Sequence, residues 1–228
     1  MIPKKDIPEI FRRLREKWPD PRPTLVFRNN FELICAVLLS AQTTDTAVNR
    51  VTPALFAMAP DPDTMRRLDP EVIAGIIASI GLYRNKTKHL QKLSEALMER
   101  FQGEVPEAEE DLISLPGVGR KTARVVENIA FGKGTVAVDT HIFRVNSRLK
   151  LVPGKTPEAV SDSLPGIIPP EYLRNAHHWL IYLGRHICRA RKPLCGECPV
   201  ASFCRSRDKT RDKTRDESGP GDPAVQDK

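Results

Sequence analysis

The sequence predicts an all-α protein made of two helical lobes. Apolar residues recur with the helical period in nearly every segment, and the 20 prolines lie mainly between those segments. The sequence contains no long alternating strand and no Asn-Gly or Asp-Gly hairpin. The 228 residues are enough to bury a core without disulfides. We expect about ten helices in such a chain.

The first half of the chain predicts helices from their apolar faces and caps. One apolar stripe at helical spacing consists of Ile7, Ile10, Phe11, Leu14 and Trp18. We expect Asn30 to cap a second helix that carries the apolar run from Phe31. Asp69 followed by Pro70 indicates another start, because proline suits the first helical position. The stripe behind it consists of Val72, Ile73, Ile76, Ile77 and Ile80.

The second half continues the helical pattern. A stripe of Leu90, Leu93, Leu97 and Phe101 predicts a long helix. A short helix is expected over residues 107–114, and another from Arg120 to Phe131. Asp139 and the pair Thr156-Pro157 each indicate a further helix start.

Two stretches are predicted to be crossings between the lobes. They are Pro19–Pro23 and Gly132–Gly134, which are rich in residues that interrupt helices. Residues 24–131 would then form an inserted lobe of about six helices. Residues 1–23 and 132–207 would together form the N- and C-terminal lobe.

The composition favours a nucleic-acid-binding protein outside the membrane. Lys and Arg total 36 and Asp and Glu total 29, which gives a net charge of +7. The longest apolar run, Leu33–Leu39, is far shorter than the roughly 20 residues of a membrane span. The N-terminus lacks the apolar stretch of a signal peptide, so we expect a cytoplasmic protein with no membrane partner. Residues 208–228 carry a tandem DKTR and little apolar surface, which predicts a disordered charged tail.

The segment LPGVGRKTA, from Leu115 to Ala123, is the most informative part of the sequence. Glycines at 117 and 119 would allow positive φ and the close approach of another backbone. The amides of the turn and of the following helix start suit a phosphate, which fixes register on nucleic acid without reading sequence. The alternative is an ordinary connection between two helices with a glycine C-cap.

Lys121 and Asp139 are the candidate reacting pair. A helix of twelve residues from Arg120 carries the chain roughly 18 Å away. The seven residues 132–138 can reach back roughly 23 Å, so Asp139 can lie beside Lys121. A lysine amine at a helix N-terminus can act as a nucleophile, and a carboxylate can stabilise developing positive charge. The alternatives are a phosphate-binding lysine and a plain N-cap.

Four cysteines near the C-terminus indicate a metal centre. Cys188, Cys195, Cys198 and Cys204 have the spacing C-x6-C-x2-C-x5-C. Only one gap is short, which favours an iron–sulfur cluster over a structural zinc. The first gap is a basic loop tied at both ends, and its Arg189, Arg191 and Lys192 suit DNA phosphates. Cys35 lies in an apolar run and is expected to be inert.

These motifs together resemble the endonuclease III family, the bifunctional DNA glycosylase/AP lyases of the helix-hairpin-helix superfamily. The match includes LPGVGRKTA, VDTHIFRV from Val138 to Val145, and the four cysteines. Leu39–Asp45 and Ile80–Tyr83 also match family segments, and the resemblance covers about residues 5–205. The short N-terminus favours a bacterial or archaeal source.

The resemblance implies an enzyme of base excision repair acting on duplex DNA. Lys121 would attack C1′ of an oxidised pyrimidine nucleoside, forming a Schiff base that leads to β-elimination, while Asp139 would stabilise the oxocarbenium-like state. Gln42 and Leu82 match residues that fill the space left by the extruded nucleotide. The cofactor would be a [4Fe-4S] cluster, and the partner would be double-stranded DNA with damaged pyrimidines or AP sites, bound by a monomer at the nucleoid. The candidate DNA-binding residues are Gln42, Leu82, Leu115, Gly117, Val118, Gly119, Arg120, Thr122, Arg191 and Lys192.

Other functions stay open at this point. A non-catalytic DNA-binding module would not need Lys121 and Asp139 together. An electron-transfer protein would have no hairpin and a less basic surface. A related glycosylase could act on another lesion or mispair, because a single sequence does not define the base pocket. We interpret His177 and His178, with His141 and His186, as structural hydrogen-bonding residues, and expect the adjacent pair to occupy different faces of a helix.

Overall fold

The computed structural model describes residues 1–207, 209 and 210, and this part of the chain is helical, with no strand. The all-α prediction is therefore confirmed. The expected disordered tail over 208–228 lies outside the described residues, apart from Lys209 and Thr210. The α-helices are α1 (Ile7–Lys17), α2 (Asn30–Leu39), α3 (Asp45–Met58), α4 (Pro62–Arg67), α5 (Pro70–Ile76), α6 (Tyr83–Phe101), α7 (Glu109–Ile113), α8 (Arg120–Phe131), α9 (Thr140–Leu149), α10 (Pro157–Ser163) and α11 (Pro170–Tyr182).

Two separate apolar cores organise these helices. The first core extends from Phe31 to Val126, and we call the helices around it, α2–α8, lobe 1. The second core combines α1 with side chains between Val136 and Val200, and α1 with α9–α11 and the following turns form lobe 2. α2 is buried from Phe31 to Leu39, because lobe 1 packs around it on all sides. The domain limits at 23/24 and 131/132 stay a prediction.

The helix starts follow the capping residues with one correction. Asn29, and not Asn30, caps α2, because the Asn29 backbone is extended and its side chain accepts a hydrogen bond from the Glu32 amide at 2.8 Å. Asp69, Asp139 and Thr156 are N-caps as predicted. These caps satisfy amides that the helix itself leaves free.

Polar contacts join the two lobes. Arg124 of α8 contacts Ser161 and Asp162 of lobe 2. On the opposite side of the junction, Arg185 Nη1 donates to Asp45 Oδ2 of α3 at 2.9 Å. Charged groups therefore link the two lobes at two places, and Asp45 and Arg185 also line the cleft between the lobes.

None of the helices in the described residues has the length and apolar character to cross a membrane.

Candidate active site

A tight turn between α7 and α8 forms the predicted hairpin. Gly117 has φ +80°, and a Cβ there would lie 2.9 Å from His89 Cβ and 3.0 Å from Leu38 Cδ1. Glycine is therefore required at 117 by both conformation and space. Gly119 corrects the prediction, because it is extended with φ −92° and ψ 172° and does not need positive φ. A Cβ at Gly119 would meet nothing within 4 Å, so the lack of a side chain there leaves open space beside the turn.

The hairpin presents backbone rather than apolar side chains. Leu115 and Val118 are buried in the first core, with 2% and 6% of their surface exposed. Any contact of these two residues with DNA would therefore involve main-chain atoms. α8 begins at Arg120 with no side-chain cap, so the amides of its first turn have no capping group. Arg120 Nε contacts Glu109 Oε1 at 3.0 Å, so this guanidinium is partly neutralised.

Lys121 and Asp139 line one cleft between the lobes. The cleft has a volume of about 220 Å³, and Thr122 and Gln42 also line it. The Asp139 carboxylate caps α9, because its Oδ1 accepts a hydrogen bond from the Ile142 amide at 2.8 Å, and it also faces the cleft. The structure therefore brings together the pair that the chain geometry predicted.

The Lys121 amine is free of ion pairs within the described part of the chain. Its side chain is exposed at the second position of α8, and Asp139 shares the cleft without bonding to it. A bonded carboxylate would stabilise the ammonium, whereas a nucleophile must be a free amine. The arrangement thus leaves both groups available to a substrate.

Gln42 and Leu82 lie in exposed turns with left-handed backbone. Their φ angles are 56° and 59°, and 58% of the Leu82 surface is exposed. Such conformations are uncommon for residues other than glycine and need support from their surroundings. Lys86 supports the turn of Gln42, because its Nζ donates to Leu39 O at 2.9 Å and to Thr43 Oγ1 at 2.8 Å. Sequence reasoning missed Lys86, because its position in α6 gives no sign of this long-range contact.

His177 and His178 both line the cleft, although as neighbours on α11 they project from different faces of the helix. Their ring centroids lie 5.3 Å apart. The hydrogen-bonding role expected for His177 is wrong, because its ring has no hydrogen-bond partner among the described residues. Burial lowers the pKa of His177 to about 3 and that of His178 to about 4, so both rings are neutral.

The four predicted metal-binding cysteines line one apolar cavity. Its walls include Leu149, Leu183, Ile187 and Val200 along with Cys188, Cys195, Cys198 and Cys204. Burial raises the pKa of the Cys198 thiol to about 11, and the three neighbouring cysteines act in the same direction. Metal binding reverses this effect, because the ligand is the thiolate. Four sulfur donors around one largely apolar cavity fit an iron–sulfur cluster. Cys35 is buried in the first core, where burial raises its pKa, as expected of an inert thiol.

The basic loop after Cys188 is held in place by hydrogen bonds to its backbone carbonyls. Arg148 donates to Arg189 O at 2.6 Å and to Ala190 O at 3.1 Å. The side chains of Arg191 and Lys192 are exposed and have no ion pair or hydrogen bond within the described residues. The loop therefore presents two free cations on a rigid support.

Known proteins resemble this chain in sequence and in fold. The family model of "HhH-GPD superfamily base excision DNA repair protein" matches residues 35–170. Endonuclease III of Escherichia coli (strain K12) is 48% identical over 201 residues, which cover 88% of this chain and 95% of that protein. The chain belongs to the endonuclease III family. Endonuclease III of Bacillus subtilis (strain 168) is 44% identical over 210 residues, covering 92% of this chain and 96% of that protein.

Solved structures support the same membership of the endonuclease III family. A trapped endonuclease III–DNA covalent intermediate is 43% identical with a TM-score of 0.84, covering 90% of this chain and 97% of that one. A non-covalent endonuclease III–DNA complex matches with the same TM-score of 0.84. The model "Iron-sulfur binding domain of endonuclease III" matches residues 188–204, which begin and end at cysteines.

Membership of the endonuclease III family defines the activity in general terms. The chain is a DNA glycosylase and AP lyase of base excision repair, its partner is DNA and its cofactor is a [4Fe-4S] cluster. The predictions of fold, family and cofactor are thereby confirmed.

Proposed function

We propose that Lys121 and Asp139 carry out base removal and strand cleavage at oxidised pyrimidines in duplex DNA. The Lys121 amine attacks C1′, and the C1′–N bond breaks with its electron pair leaving on the base, which gains a proton. The amine nitrogen loses a proton, and opening of the sugar gives a Schiff base. Removal of a C2′ proton then expels the 3′ phosphate by β-elimination. The observation that carries this proposal is the cleft shared by the free amine and the carboxylate.

Asp139 is proposed to stabilise the positive charge that develops on the sugar as the base departs. Its support is the hydrogen bond from the Ile142 amide to Oδ1, which orients the carboxylate while Oδ2 has no partner among the described residues. A preoriented anion lowers the energy of a cationic transition state more than that of the neutral ground state. The capping role and the catalytic role are therefore compatible.

Gln42 and Leu82 are proposed to occupy the gap that extrusion of the nucleotide leaves in the duplex. An amide can pair with the orphaned base, and an apolar side chain can wedge a base step. The hairpin and the loop carrying Arg191 and Lys192 would bind phosphates on either side. Both sets of contacts fix register rather than read sequence.

Cys188, Cys195, Cys198 and Cys204 are proposed as the cluster ligands. When bound, the cluster supplies four metal–thiolate bonds that close the loops between the cysteines. Arg148 would link the cluster to the basic loop, because it contacts Cys188 Sγ at 3.4 Å and donates hydrogen bonds to two carbonyls of that loop. We assign the cluster a structural part in DNA binding, in a monomer working on the bacterial chromosome.

Borohydride trapping tests the proposed function. A duplex with a single thymine glycol should give a covalent protein–DNA adduct and strand cleavage, because reduction fixes the Schiff base. The control is the same duplex with thymine. Equal trapping on both duplexes, or no adduct on the damaged one, would contradict the proposed substrate.

A further inference from the structure

His177 is the most unusual side chain in the cleft. It lies on α11 with only 4% of its surface exposed, yet it lines the cavity that holds Lys121 and Asp139. Neither the hairpin, the cluster nor the proposed reacting pair uses it. Its position and its chemistry therefore need a separate explanation.

The ring of His177 has unused hydrogen-bonding capacity. Nδ1 is buried without a partner, and neither ring nitrogen bonds to another described residue. In the described part of the chain, the other buried side-chain atoms without partners are Thr87 Oγ1 and Glu127 Oε2, and neither residue lines the cleft. Nδ1 is shielded from the cleft, whereas Nε2 is accessible and has no partner among the described residues, so Nε2 is the ring nitrogen that can bond a ligand in the cleft.

The charge around His177 limits what that ligand can be. Burial, His178, Lys121 and Arg185 all disfavour the imidazolium and lower its pKa to about 3. A neutral imidazole has one donor and one acceptor, and it offers no charge to a phosphate. The group it suits is an uncharged one with donors and acceptors along an edge.

Part of the cleft wall suits a flat ring. Val37, Val125, Ile129 and Ile181 give the same cleft apolar surface, alongside polar lining residues such as Ser40 and Asp45. A nucleobase has apolar faces and a polar edge of carbonyl and N–H groups. Extruded bases are read in this way, by hydrogen bonds to the edge and packing against the faces.

We propose, building on the proposed function of the cleft, that His177 is a specificity-determining residue that hydrogen-bonds the polar edge of the extruded pyrimidine. The residue acts on the base and not on the sugar or the phosphate. An AP site has no base, so a residue that contacts only the base should affect base excision and leave cleavage at an AP site unchanged. Base excision needs His177, whereas β-elimination at a preformed AP site does not.

The test compares these two activities at saturating enzyme in single turnover. His177→Leu should slow release of thymine glycol from duplex DNA by roughly ten- to a hundredfold, because a base edge would lose its partner. Cleavage of the same duplex with an AP site should stay within about threefold of wild type. His177→Phe keeps a flat ring without the nitrogens and carries the same expectation. His177→Gln keeps a donor and an acceptor and should restore much of the excision rate.

His186→Leu is the matched control, because His186 is exposed on the turn after α11 and does not line the cleft. It should leave both rates unchanged. Equal losses of excision and AP cleavage in His177→Leu and His177→Phe would overturn the inference, since the ring would then support the chemistry or the fold. Unchanged excision would also overturn it. The proposed function itself fails by a different result, namely a wild-type protein that cleaves neither duplex.

Discussion

The two lobes position their functional residues by different means. In lobe 1, Gly117 of the hairpin packs against Leu38 on the buried helix α2, so apolar packing defines the turn. In lobe 2, residues 188–204 contain only two short 3-10 turns besides irregular chain, and they surround the cavity of the four thiols. The hairpin of lobe 1 is therefore held by the first core, whereas residues 188–204 have little regular structure, and we expect the proposed cluster to hold them together.

This difference divides the chemistry between the lobes. Lys121 comes from lobe 1 and would make the covalent bond, while Asp139 comes from lobe 2 and would stabilise charge. The basic loop of lobe 2 would add affinity without chemistry. Changes in the two lobes should consequently have effects of different size and kind.

The largest effect is expected from Lys121→Ala. The variant should lose trapping and strand cleavage entirely, because no amine remains to form the Schiff base. Circular dichroism and DNA binding should be retained, since the side chain is exposed. Lys155→Ala, another exposed lysine, is the control. Strand cleavage by the purified Lys121→Ala protein would refute the mechanism.

A smaller but still large effect is expected from Asp139→Asn. Asparagine caps a helix about as well as aspartate, so stability should change little. Base excision should slow by about a hundredfold or more in single turnover, because the neutral amide does not stabilise a cationic sugar. An unchanged excision rate would leave Asp139 as an N-cap only.

Cys198→Ala should show most clearly that the two lobes are stabilised by different means. The purified wild-type protein should be yellow-brown, with broad absorption near about 400 nm from thiolate-ligated iron. The variant should lose iron and this absorption, while the helices of lobe 1 persist by circular dichroism. Cys35→Ala is the matched control, because Cys35 is in the first core and should leave the absorption intact. A colourless wild-type protein with stoichiometric zinc would show that the cofactor differs.

The sequence predicted the local features of both lobes better than their long-range contacts. The α8 helix, the hairpin and the cysteine cluster could be predicted from the sequence because each depends on residues close in sequence. The roles of Lys86 and His177 could not be predicted, since their surroundings form only when distant helices pack together. The pair His177-His178 shows the reason, because adjacent side chains on α11 diverge but the cleft is wide enough to contact both.

The smallest effect is expected from Arg191→Ala and Lys192→Ala. Each should weaken binding of damaged and undamaged duplexes alike, because phosphates carry no lesion information. Each should also reduce the slope of log affinity against log salt by up to about one unit. The single-turnover rate at saturating enzyme should hardly change. If the double variant keeps the affinity and the slope of wild type, the loop is simply a solvated surface.

The most direct test of the account is to locate the covalent bond. Wild-type protein is trapped on a thymine glycol duplex with borohydride, digested with protease and nuclease, and sequenced by mass spectrometry. We predict that the sugar remnant is attached to Nζ of Lys121, in lobe 1 and facing the carboxylate of lobe 2. Attachment to the N-terminal amine or to any other lysine would contradict it.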